Sequence, residues 1–141
     1  MPGRGPRTIL LVEDSKNLRE IIAMTLRGRG WGVIESEDGE DALEKVRTQE
    51  PDLILLDVIL PGISGFEVCS LLKSDDRYRQ IPIVMLSGIT RDSGKSDDHW
   101  KRLSNADAFI SKPFRAHQLM SRLDELLGKL PRDDAKKSAE A

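Results

Sequence analysis

Four short apolar runs in this chain each lead into residues that can do chemistry: Glu13-Asp14 after Ile9–Val12, Asp57 after Leu53–Leu56, Ser87 after Ile83–Leu86, and Ser111-Lys112-Pro113 after Ala108–Ile110. Three carboxylates brought together without compensation repel one another and raise at least one pKa, so such a cluster calls for a hard divalent cation with oxygen ligands. Mg²⁺ fits best. It takes one or two carboxylates, keeps several waters and leaves positions for phosphoryl oxygens, while Lys112 adds a second positive charge. Glu13, Asp14, Asp57, Ser87 and Lys112 together would suit phosphoryl transfer to a carboxylate. Singly they have plainer readings. Glu13-Asp14 is a common charge pair for a helix N-terminus, Asp57 can cap a turn before Pro61-Gly62, and Ser87 and Phe109 can be turn and core residues.

Convergence requires elements that bring these positions to one edge. Thr8–Val12 is an apolar, β-branched run, and Leu18, Ile21, Ile22 and Leu26 recur at helical spacing before Gly28 and Gly30. Gly32–Ser36 reads as a second strand. Ala42, Leu43 and Val46 mark a helix that ends before Pro51, because proline bars its predecessor from the helical conformation. Leu53–Asp57 is a continuous apolar run closed by one acid, the pattern of a central parallel strand buried on both faces. Ser64-Gly-Phe-Glu67 has the capping-box form and opens a helix with Phe66, Cys69 and Leu72 on one face. Ile81–Ser87 and Asp107–Ser111 supply two more strands. The polar stretch 88–104 predicts a thinly anchored helix, with Ile89, Trp100 and Leu103 its large apolar residues. The leucines from Leu119 to Leu130 stripe a last helix. Five strands alternating with five helices imply a parallel sheet with right-handed crossovers and helices on both faces, a three-layer α/β sandwich. Ligands of such sheets sit beyond the carboxyl ends of the strands, where these side chains fall.

Bulk properties narrow the class. The 141 residues suit one domain over 8–130, flanked by a Gly/Pro/Arg-rich 1–7 and a charged tail 131–141, both expected to be flexible. With 22 basic against 24 acidic side chains, no global field points to nucleic acid or a membrane. Apolar stretches are too short to span a bilayer and the N-terminus lacks an apolar signal core, which suggests a cytoplasmic protein. Cys69 has no second thiol to pair with and reads as a buried thiol. His99 and His117 lack relay or metal partners. Trp31 and Trp100 read as packing residues.

The motifs VEDS at 12–15, LLDVILPGISG at 55–65, MLSG at 85–88 and FISKPF at 109–114 resemble those of response-regulator receiver domains, over about Thr8 to Gly128. That resemblance implies a flavodoxin-like sheet of strand order 2-1-3-4-5. It implies that Asp57 takes a phosphoryl group from a histidine of a sensor kinase or phosphotransfer protein. Asp14, Asp57 and the Ile59 carbonyl would ligate Mg²⁺, with Glu13 acting through a metal-bound water. Lys112 would contact the phosphoryl group, Ser87 would swing its hydroxyl towards it, Phe109 would turn inward as an aromatic switch, and Pro113 would follow a cis peptide bond. The expected protein is a stand-alone switch that signals through protein contacts, a monomer or weak dimer, and not an enzyme with an external substrate. Three alternatives stand beside it: a pseudo-receiver adaptor that is never phosphorylated, a flavodoxin-like flavin binder, which would need a hydroxyl- and Gly-rich loop where Glu13-Asp14 stands, and a haloacid-dehalogenase-like phosphatase. The last wants an Asp-x-Asp pair after strand one, which Glu13-Asp14-Ser15 lacks. Asn105 stands where such domains often have glycine, in a role that asparagine can also fill.

Overall fold

The computed structural model describes residues 7–87 and 105–128. Five strands, β1 (Thr8–Val12), β2 (Gly32–Ser36), β3 (Leu53–Asp57), β4 (Ile83–Ser87) and β5 (Ala108–Ser111), form one parallel sheet in the order β2-β1-β3-β4-β5. Four helices are described: α1 (Lys16–Gly28), α2 (Gly39–Gln49), α3 (Gly65–Lys73) and α4 (Ala116–Gly128). The helix expected within 88–104 lies outside the described residues, as do His99, Trp100, residues 1–6 and the tail beyond Gly128.

Local chemistry sets the helix ends. Ser15 caps α1 by accepting the Leu18 N–H, and Asp38 caps α2 by accepting the Asp41 N–H at 2.7 Å. At α3 the capping box is complete, with Ser64 Oγ accepting from Glu67 N–H and the Glu67 carboxylate from Ser64 N–H. Glu50, held by Pro51 out of the right-handed helical region, ends α2 at φ 47°. Asn105 takes φ 65°, a conformation its short polar side chain tolerates. Strand β4 starts at Ile83, two residues later than the expected Ile81, beyond Pro82, which has no N–H for the ladder.

Side-chain alternation along the strands divides the core in two. Leu10, Val12, Ile54, Leu56, Ile83 and Met85 face α2 and α3, where they meet Ala42, Val46, Val68, Cys69 and Leu72. Ile9, Leu11, Leu53, Leu55, Val84 and Leu86 face α1 and α4, against Ile22, Leu26, Leu119, Leu123 and Leu127. The three layers follow from period-two strands between period-3.6 helices. One expected core position moves outward: Ile21 is 61% exposed, because Leu18, Ile22 and Leu26 point the stripe of α1 at the sheet and leave Ile21 on its flank. On α3, Val68 joins Cys69 and Leu72 in the core while Phe66 is partly buried beside them.

Candidate functional site

Parallel pairing carries the carboxyl ends of β1, β3, β4 and β5 to one edge. Val12 is in register with Leu56, Asp57 with Leu86, and Ser87 with Ser111, so Glu13-Asp14 and Lys112 leave the sheet beside Asp57 and Ser87. Burial of polar groups concentrates here too. Among the described residues the buried polar ones are Glu13, Ser36, Asp57 and Ser87, each at or next to the carboxyl end of a strand.

The geometry centres on one ammonium. Lys112 Nζ donates to Asp57 Oδ2 at 2.5 Å and to Glu13 Oε1 at 3.1 Å. The other carboxylate oxygens are also held: Asp57 Oδ1 accepts the Ile59 N–H at 3.0 Å, and Glu13 Oε2 accepts the Ser15 N–H at 3.0 Å. Asp14 is exposed, and its carboxylate joins those of Glu13 and Asp57 in a group whose oxygens lie within 4.8 Å of one another. Burial, and then the adjacent Asp57 carboxylate, push the Glu13 carboxyl up to about 7. For Lys112 burial opposes the charge, but the paired Asp57 and Glu13 carboxylates outweigh it and hold its pKa above the usual lysine value. One ammonium thus serves two buried carboxylates with a third beside them, and burial, more than the neighbouring Asp57, raises the Glu13 pKa. Hard oxygen donors with surplus negative charge fit Mg²⁺.

Supporting contacts explain why the edge has this shape. The Lys112 N–H is tied to the Ser87 carbonyl at 2.8 Å, fixing where the lysine departs from β5, and the Lys112–Pro113 peptide bond is cis. Ile59 projects outward, 64% exposed, next to the acids. Ser87 is buried at the end of β4, and Phe109 is buried on β5, in register with Met85. At α3 the helix start closes on Asp57 so tightly that a Cβ on Gly65 would lie 2.2 Å from the Asp57 carbonyl oxygen. An apolar groove of about 490 Å³ runs beside Lys112 and Pro113, walled by Leu18, Ile21, Phe114 and Leu119.

Over residues 9–124 the chain matches the family model described as the response regulator receiver domain. It belongs to that family. The receiver is 39% identical over 122 residues to the phosphate regulon transcriptional regulatory protein PhoB of Pseudomonas aeruginosa, covering 86% of this chain and 52% of that protein. It spans about half the length of the curated relatives it matches. The receiver domain of sensor histidine kinase PA1611 from Pseudomonas aeruginosa PAO1, whose structure is described with a magnesium ion coordinated in the active site cleft, superposes with a TM-score of 0.79. That pair shares 26% identity over 89% of this chain and 100% of the other. Chemotaxis response regulator CheY4 of Vibrio cholerae superposes with a TM-score of 0.76 at 29% identity, over 86% of this receiver and 98% of that chain.

Of the residues singled out from the sequence, Glu13, Asp14, Asp57 and Lys112 come together directly, with Ser87 on the neighbouring strand end and Phe109 beneath. His117 is exposed, and Cys69 is fully buried, its thiol pushed up to about 11 by that burial. Sequence reasoning passed over Arg19 and Glu35. Their ion pair behind Glu13 joins positions on α1 and β2 that carry no motif.

Proposed function

We propose that this receiver is a phosphorylation-dependent signalling switch with Asp57 as phosphoacceptor. The observation that carries the reading is Lys112 Nζ seated between Asp57 and Glu13 inside a carboxylate group at the open end of the sheet. An Asp57 carboxylate oxygen attacks the phosphorus of a phosphohistidine on a sensor kinase or phosphotransfer protein. A P–O bond forms, the P–N bond breaks, and the imidazole leaves with the electron pair and is protonated from solvent. Asp14, Asp57 and the Ile59 carbonyl would hold Mg²⁺, with Glu13 acting through a water. Bound there, the cation would neutralise charge on the transferring group.

The protein's own groups do the rest. Lys112 exchanges one carboxylate contact for a phosphoryl oxygen, the Ile59 N–H keeps the Asp57 carboxylate oriented, and Ser87 donates its hydroxyl to the new phosphoryl group. Those contacts favour one of two conformational populations, which Phe109 reports to the outer face of β5. Hydrolysis of the acyl phosphate by water restores Asp57 and releases phosphate, so the chemistry turns over no external substrate beyond the donor. A donor protein reaching Asp57 passes the groove that contains Lys112 and Pro113, where exposed Ile21 offers apolar contact. The functional unit is 8–130, acting in the cytoplasm through protein contacts.

Intact mass after incubation with acetyl phosphate and Mg²⁺ tests this. Wild type gains one phosphoryl mass; Asp57→Asn and wild type in EDTA gain none. A folded, Mg²⁺-binding wild type that stays unmodified both by acetyl phosphate and by competent histidine kinases would instead be a pseudo-receiver adaptor.

A further inference from the structure

Glu13 and Asp14 sit on a turn that must leave β1 and enter α1 within three residues, and its backbone is held from both sides. The Glu13 N–H donates to the Ser36 carbonyl at 3.0 Å, and the Glu13 carbonyl accepts from Arg19 Nη1 at 2.8 Å. The Glu13 carbonyl shares its peptide plane with the Asp14 amide and Cα, so a donor fixed on that oxygen also fixes the start of Asp14. Arg19 is itself clamped. Its side chain is 13% exposed, and its Nε donates to Glu35 Oε1 at 3.2 Å. Glu35 is held in turn by Arg27 Nη2 at 3.2 Å on its other carboxylate oxygen and by Lys45 Nζ at 2.6 Å on its carbonyl.

We propose that Arg19, anchored by Glu35, is a positioning residue that orients the Glu13–Asp14 peptide so that both carboxylates can receive the cation. This rests on the reading of the acidic group as a Mg²⁺ site. A rigid guanidinium can serve the Glu13 carbonyl and Glu35 at once through separate nitrogens, whereas a lysine ammonium on a flexible stem keeps the charge but not the fork. Arg19 therefore acts through geometry as well as charge, and lysine is a poor substitute. Groups that orient metal ligands from behind alter metal affinity by about 10–100-fold when removed.

The test is a MgCl₂ titration of the ¹⁵N-labelled protein followed by amide NMR, which reads fold and affinity together. Arg19→Ala is expected to raise the Mg²⁺ Kd about tenfold and Arg19→Lys several-fold, with the Asp14 amide displaced in both. Glu35→Gln should raise it less, because the amide oxygen still accepts from Arg19. Arg27→Ala, which removes one of the two cations holding Glu35 and leaves the Arg19 bonds in place, should raise it least. With acetyl phosphate, the Mg²⁺ concentration for half-maximal phosphorylation rises while the rate at saturating Mg²⁺ stays close to wild type. Asp52→Ala, which removes the acceptor of the Thr8 N–H and so weakens the start of β1 at the opposite end of the sheet, controls for lost stability. Wild-type Kd values in Arg19→Lys and Glu35→Gln overturn the inference, as does a Kd raised equally by Asp52→Ala. If wild type binds no Mg²⁺ at all, the metal reading of the site falls first and the inference with it.

Discussion

Lys112 has two tasks that a single substitution can separate. In the metal-free protein it is the cation paired with the Asp57 and Glu13 carboxylates, so it competes with any metal for the same oxygens. In the proposed phosphotransfer it would supply positive charge to the phosphoryl oxygens. Lys112→Gln is expected to tighten Mg²⁺ binding in a calorimetric titration while slowing phosphorylation by acetyl phosphate about 100-fold, the scale of losing one pre-positioned charge-stabilising donor. Glu13 makes a pH prediction. Its carboxyl titrates near 4.5 when unfolded and about 7 in the metal-free fold, where burial and Asp57 oppose its ionisation. Between those values the native state binds more protons, so metal-free stability falls as pH rises from about 4.5 to 7 and this contribution is flat above. Thermal midpoints in EDTA should show that slope, and Glu13→Gln should remove it.

At the level of elements, the approach of α3 to β3 is the tightest constraint on the site. The Gly65 N–H donates to the Val58 carbonyl at 2.8 Å, and a Cβ there would sit 2.2 Å from the Asp57 carbonyl oxygen and 2.8 Å from Val58 Cα. Alanine would gain up to about 1 kcal/mol in helix propensity. The clash is with backbone rather than a movable side-chain tip, so overpacking of about 1–3 kcal/mol wins. Gly65→Ala should lower the urea midpoint and, by shifting Asp57 and Val58, reduce the phosphorylation rate. At the other end of the sheet Lys73 Nζ joins the Arg79 and Ile81 carbonyls to Asp107 Oδ2, which also accepts the Ile83 N–H. This clasp ties α3 and the start of β4 to the turn before β5, far from the acids. Asp107→Ala should cost roughly 2 kcal/mol in urea unfolding while leaving the Mg²⁺ Kd unchanged.

For the molecule as a whole, the two apolar cores hold the fold and the acidic edge works against it. A ligand that binds the native state alone stabilises it by mass action, and here it also relieves the repulsion among Glu13, Asp14 and Asp57. Mg²⁺ at about 100 times its Kd should add about 2.7 kcal/mol to the unfolding free energy, and EDTA should reverse the gain. The increment should grow from pH 5 to pH 7 as the proton on Glu13 ceases to compete, and Asp57→Asn should diminish it. Denaturant unfolding at fixed Mg²⁺ measures each of these. No helix among the described residues is long and apolar enough to cross a membrane.

What the sequence determined by itself was local in origin. Strand and helix alternation follows from side-chain period, the α3 cap from Ser64 with Glu67, the end of α2 from Pro51, and the position of Asp57 from its place at the close of an apolar run. The candidate acids and lysine were legible because they follow such runs and match spaced motifs. Tertiary structure alone decided which helices share a face, why Ile21 turns outward, how closely Gly65 approaches Asp57, and that Arg19 and Glu35 stand behind Glu13. It also decided the Glu13 pKa. Lys112 and Glu13 are 99 positions apart in the chain, and no local pattern encodes their 3.1 Å contact. Desolvation and charge coupling arise only when the folded chain removes water and brings distant groups together.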